Sequence, residues 1–171
     1  MANPNPAFTD AEYRSRITKT RAAMAKAGID VLLSSDPSNM AWLTGYDGCS
    51  FYVHQCVILG PDGDPIWWGR GIDATGALRT VFMADHHIHG YADIYVQNPE
   101  MHPMEDLSQR LIDRGWGGLR LGVEMDNYYF SAAAYQSLLK CNANAEIKDA
   151  TGLVNWQRAI KSPTEIEYMR R

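Results

Sequence analysis

Within 27 positions, Trp42, Tyr46, Phe51, Tyr52, Trp67 and Trp68 gather around Asp47, His54 and Arg70. Aromatic rings beside Arg and His are the composition of a binding surface. Core packing accounts for most of these rings, which leaves one or two for a ligand or partner. Adjacent Trp67 and Trp68 point to opposite faces of any strand that carries them. One is therefore expected in the core and the other toward solvent or a partner. Gly69-Arg70-Gly71 follows an apolar run and precedes a helical pattern, where an anion could sit.

Other chemistry is weaker. Asp85, His86, His87 and His89 lie together, and His87 and His89 would share a strand face. Alternating histidines can hold zinc, but the ligand spacing of a zinc site is missing, so solvated or hydrogen-bonded histidines are expected. GxGxxG, GxxxxGK[ST], GxSxG and HExxH are all missing from the sequence. Cys49, Cys56 and Cys141 form no CxxC pair, and reduced, mostly buried thiols are expected.

The elements that must position these residues are legible. The chain of 171 residues carries 16 Lys+Arg against 20 Asp+Glu, a net charge of −4, which speaks against a phosphate-backbone binder. Its length fits one domain with a self-sufficient core. No stretch reaches the roughly 18 apolar residues of a bilayer span, and MANPNPAFTD lacks the basic and apolar regions of a signal peptide. A cytoplasmic protein that binds neither membrane nor nucleic acid is expected.

Thr9-x-x-Glu12 reads as a capping box opening a helix that Gly28 stops. Ile29–Ser34 reads as a buried strand, and Asp36–Ser38 opens a short helix through Leu43. Phe51–Leu59 and Ile66–Trp68, around the Gly60–Pro65 turn, read as a β-hairpin. Helices are expected over 73–83, 103–114, 131–139 and 153–160. Strands are expected over 87–91, 120–124 and 146–149. The order implies an α/β domain: a mixed β-sheet with flanking helices. Ser162-Pro163-Thr164-Glu165 is a second capping box, with Pro at the first helical position. Only about two turns follow it, which is short for a free helix.

The run Arg158-x-Ile160-Lys161-Ser162-Pro163-x-Glu165-Ile166-x-x-Met169-Arg170 resembles the interdomain junction of the creatinase/prolidase/aminopeptidase P family. Pro37-x-Asn39-Met40-x-Trp42-Leu43-Thr44-Gly45-Tyr46 is similar to that family's PxN…LTGY segment. Phe8-Thr9-x-x-Glu12-Tyr13, with Met24-x-x-x-Gly28-Ile29-Asp30-Val31, looks like its opening helix and strand. Trp42, Trp67-Trp68 and Gly69-Arg70-Gly71-Ile72-Asp73 most resemble the creatinase-like branch that includes ectoine hydrolases; a Xaa-Pro dipeptidase is the nearest competitor.

The resemblance implies a creatinase-type, ribonuclease-H-like N-terminal domain over residues 1–161. Residues 162–171 would begin a linking helix to a catalytic domain outside this chain. It implies a C–N bond hydrolase of ectoine or of dipeptides, and a homodimer in which this domain reaches the partner subunit's active site. The 171 residues alone are expected to be inactive. In the metallopeptidase branch a divalent metal pair (Mn, Co or Zn) is held by Asp, His and Glu ligands of the catalytic domain, and creatinases use a His there without metal. No catalytic or metal residue therefore falls on this chain.

The family's substrate contacts from this domain match Phe51-Tyr52-Val53-His54. Val53 and His54 stand where creatinases carry an Arg nearby, which speaks against a guanidino acid. Phe51, His54, Trp68 and Arg70 are the implied substrate contacts, with Tyr46 behind them. Arg70 would pair a carboxylate bidentately. His54 would do so in a pH-dependent way. A stand-alone binding module is the alternative.

Overall fold

The computed structural model describes residues 6–171. Six strands form one mixed sheet in the order β4-β3-β2-β1-β5-β6. They are β1 (Val31–Ser34), β2 (Cys56–Leu59), β3 (Ile66–Arg70), β4 (Ile88–Tyr91), β5 (Arg120–Val123) and β6 (Glu146–Asp149). β2 is antiparallel to both neighbours, and every other pairing is parallel. Five strands thus end at one edge of the molecule, where β2 begins.

Helices cover both faces. α1 (Asp10–Ala27), α2 (Pro37–Thr44), α3 (Ala74–Thr80) and α6 (Leu153–Ala159) flank one face. α4 (Pro103–Asp113) and α5 (Ala132–Cys141) cover the other. α7 (Pro163–Met169) follows α6. The pleat divides the core: Leu32, Val57 and Trp67 belong to the first layer, and Val31, Leu33, Ile58 and Trp68 to the second. A strand buried on both sides needs apolar residues throughout, as in Val31-Leu32-Leu33.

Local rules set the helix ends. Thr9 Oγ1 accepts from the Glu12 amide at 3.3 Å, and Gly28 closes α1 at φ 65°. Tyr13, Arg16, Ile17, Thr20 and Met24 form the buried stripe of α1. Gly45, at φ 84°, turns the chain after α2, where a Cβ would lie 2.8 Å from the Thr80 carbonyl oxygen.

Several boundaries differ from the sequence reading. β2 begins at Cys56, not Phe51; residues 51–53 bend, and Ser50 Oγ accepts from the Val53 amide at 3.3 Å, a local bond that competes with a ladder. α3 ends at Thr80, and the Phe82 amide donates instead to Thr44 O at 3.0 Å. Asp85–His87 form a 3-10 turn, so β4 starts at Ile88. The expectation that one of Trp67 and Trp68 faces outward fails, since both are 0% exposed. Helices on both faces leave the sheet no open side.

Candidate functional site

In open α/β sheets ligands bind beyond the carboxyl ends of the parallel strands. Here that edge collects the 46–55 segment leading into β2, Arg70 at the end of β3, Asp93 after β4 and Glu124 after β5. Phe51 is 89% exposed and Tyr52 66%. Tyr52 and Asp73 sit close enough to Arg70 to influence its charge.

Arg70 does not stand free. Its Nε and Nη2 donate to the two carboxylate oxygens of Asp93 at 2.8 and 3.0 Å. The pair holds the guanidinium charged and the Asp93 carboxyl below its ordinary range. Asp93 thus fills the fork that a ligand carboxylate would use. Gly71 and Gly90 let the chains meet here: a Cβ on Gly90 would lie 2.6 Å from Gly71 Cα.

His54 is half-buried, and its ring lies tilted against that of His102 with centroids 4.9 Å apart. Burial pushes its pKa down. The Tyr91 hydroxyl donates to the His54 carbonyl at 2.9 Å, fixing this segment to β4. Tyr46 is buried, donates to Gln55 Oε1 at 2.9 Å, and has its phenol pushed up to about 12 by burial. Trp68 lies in the second core, where its indole donates to Asp106 at 2.8 Å and holds α4. The edge therefore brings Phe51, His54 and Arg70 to the surface, with Tyr46 supporting them, while Trp68 packs beneath.

Sequence reasoning missed Glu124. This carboxylate is buried, and it accepts from Ser34 Oγ (3.0 Å), the Ser35 and Asp36 amides (2.7 and 2.8 Å) and Asn39 Nδ2 (2.6 Å). Arg158 in turn donates to Asn39 Oδ1 at 2.8 Å. Burial pushes Glu124 up, against the pull of these donors. A lone Glu after a strand carries no sequence signal; its partners lie some 90 positions away.

The histidine cluster also resolves. His89 Nε2 lies 3.1 Å from Arg114 Nη2, so it accepts as a neutral ring, and burial with Arg110 and Arg114 nearby brings its pKa to about 4. Among the described residues no group of three or more His, Cys, Asp or Glu is arranged to hold a metal ion. The cysteines are free: Cys56 is buried, with its thiol pushed up by burial, Cys141 half-buried and Cys49 exposed.

The family model for the creatinase/prolidase N-terminal domain matches residues 16–160. The chain belongs to this family. It is 63% identical over 164 residues to the ectoine hydrolase of Halomonas elongata, covering 95% of this chain and 41% of that relative. The chain thus spans about two fifths of that relative's length. Among solved structures, a proline dipeptidase from Streptococcus pneumoniae matches with TM-score 0.67 at 20% identity, over 85% of this chain and 98% of that one. A Xaa-Pro dipeptidase from Bacillus anthracis matches with TM-score 0.68 at 18% identity, over 91% of this chain and 38% of that one. These likenesses show the creatinase/prolidase N-terminal fold. No helix among the described residues is long and apolar enough to cross a membrane.

Proposed function

We propose that these residues serve as the N-terminal domain of an ectoine-hydrolysing enzyme, a C–N bond hydrolase. In that reading the domain builds a homodimer and carries the strand-end surface to the active site of the partner subunit. The observation that carries the substrate is the 63% identity to ectoine hydrolase over 95% of the chain. Exposed Phe51, Tyr52, Ile72, Ile94 and Tyr128 support an edge that meets another surface. Phe51 and His54 would line the substrate's path, and Arg70 would hold its carboxylate once Asp93 releases the fork. The hydrolytic groups, and any divalent metal pair, would belong to the catalytic part of the full-length protein.

A dipeptidase acting before proline is the second reading, favoured by the solved neighbours' fold. Full-length protein and the 171-residue chain should be assayed in parallel on ectoine and on Xaa-Pro dipeptides, with and without Mn²⁺. Ring opening of ectoine by the full-length protein alone is expected. Dipeptide turnover without ectoine turnover would transfer the assignment to the second reading. Turnover by the 171-residue chain would overturn the non-catalytic role.

A further inference from the structure

α7 is seven residues long and buries no side chain, and Met169 on it is 73% exposed. No side chain of α7 is fully buried, so apolar burial does little to fix its first two turns. Its polar attachment centres on Glu165. Oε2 of Glu165 accepts from the Ser162 amide at 2.7 Å, while the Ser162 hydroxyl accepts from the Glu165 amide at 3.2 Å. That is the capping box the sequence announces. The other oxygen leaves the helix: Oε1 accepts from Arg16 Nη2 at 3.0 Å and from Trp42 Nε1 at 2.8 Å.

Arg16 is an unusual partner. It is 2% exposed, and its guanidinium lies 4.0 Å from the Phe8 ring centroid and 5.3 Å from those of Tyr13 and Trp42. Nη1 donates to Trp42 O at 3.0 Å, and Nε has no partner among the described residues. Among the described residues only Glu165, at 3.0 Å, and Glu12, at 3.4 Å, stand against the buried charge. A buried cation stripped of its partner is strongly unfavourable. α7 therefore supplies the nearer of the two carboxylates that balance this buried charge. Beneath α7 lies a cavity of about 650 Å³, and the Tyr168 ring of α7 meets the Phe8 ring with centroids 5.0 Å apart.

We infer that Glu165 is a positioning residue: paired with buried Arg16 and the Trp42 indole, it locks α7 onto α1 and α2 and fixes the direction in which the chain leaves the domain. A lock made of one charge pair and one indole bond is directional, because the guanidinium and the indole N–H each donate to the carboxylate along one line. Tyr168 adds a second point of contact, its hydroxyl donating to Ala7 O at 2.9 Å. If a catalytic part follows α7, as proposed above, the lock also sets its placement; that consequence alone rests on the hydrolase reading.

The test is made on the 171-residue chain by ¹H–¹⁵N NMR and amide exchange, compared with Glu165→Gln, Arg16→Met and the double variant. Five indole signals serve as reporters. In Glu165→Gln the Trp42 indole resonance should move, while those of Trp67, Trp68 and Trp116 stay. Amides of residues 166–169 should exchange about tenfold faster or more, with sheet amides unchanged. The double variant should lose less than the sum of the single variants, because the unpaired buried cation is gone. If Arg16→Met fails to fold, Trp42→Phe replaces it and should speed exchange in α7 while leaving the sheet protected. An unmoved Trp42 signal, or α7 exchange equal in wild type and Glu165→Gln, overturns the inference. Neither readout depends on which substrate the full-length protein takes.

Discussion

Arg70 shows what residue types tell and what they withhold. Its place after an apolar strand, between two glycines, suggested an anion contact, and the fold does put it at the carboxyl edge of the sheet. Its bidentate bond to Asp93 was not readable, because it joins the end of β3 to a turn 23 positions on. The bond makes the contact competitive: a ligand carboxylate must displace one already seated. In the full-length enzyme, Arg70→Ala is expected to raise KM roughly tenfold with a smaller effect on kcat. Asp93→Asn should weaken the internal rival and lower KM. Steady-state kinetics decide it, and an unchanged KM in Arg70→Ala removes the residue from recognition. Trp68 carries the opposite lesson. Two neighbouring Trp residues look like one core and one surface ring only if the sheet has an open face. The alternation of helices and strands already argued that it has none.

At the level of elements, types and order were legible, since burial period and turn residues are local signals. Strand and helix ends were less so, because side chains distant in sequence settle them. The start of α4 is an example. Pro103 marks its first position, but the cap is His102, whose Nδ1 accepts from the Met104 amide at 3.1 Å while Glu105 accepts from the His102 amide at 3.2 Å. A histidine cap works only as the neutral ring. Burial, and then the neighbouring His54 ring, brings His102 to about 4. An unfolded histidine titrates near 6.5, so between about pH 6.5 and 4 the unfolded chain binds more protons. Stability from this group is complete above that window and is lost as pH falls through it, and His89 adds in the same direction. The urea midpoint should therefore fall from pH 6.5 to 4. His102→Asn keeps a good cap without titrating, and its decline should be shallower. His102→Ala should cost about 1 kcal/mol at pH 7. A parallel decline in His102→Asn would assign the slope to other groups.

For the whole molecule, the decisive contacts join distant stretches. The order of elements made the sheet and its flanking helices legible, but not Glu124, which binds the turn after β1 to the end of β5. Glu124→Gln keeps the volume yet turns an N–H₂ toward the amide donors of Ser35 and Asp36. A cost of about 3 kcal/mol in urea unfolding is expected, with loss of protection at those two amides. Unchanged stability would mean that water or a shifted Asn39 replaces the carboxylate.

The same bond carries a consequence for synthesis. β1 to β4 lie side by side in chain order, so they can pair as they leave the ribosome. The turn that launches α2 cannot finish then, because its acceptor arrives with residue 124, 88 positions after Asp36. Until β5 slots in beside β1, the amides of Ser35 and Asp36 have only water. Among the native contacts, the pairing of β1 to β4 needs only residues before 92, whereas the settled turn at the PxN segment also needs Glu124.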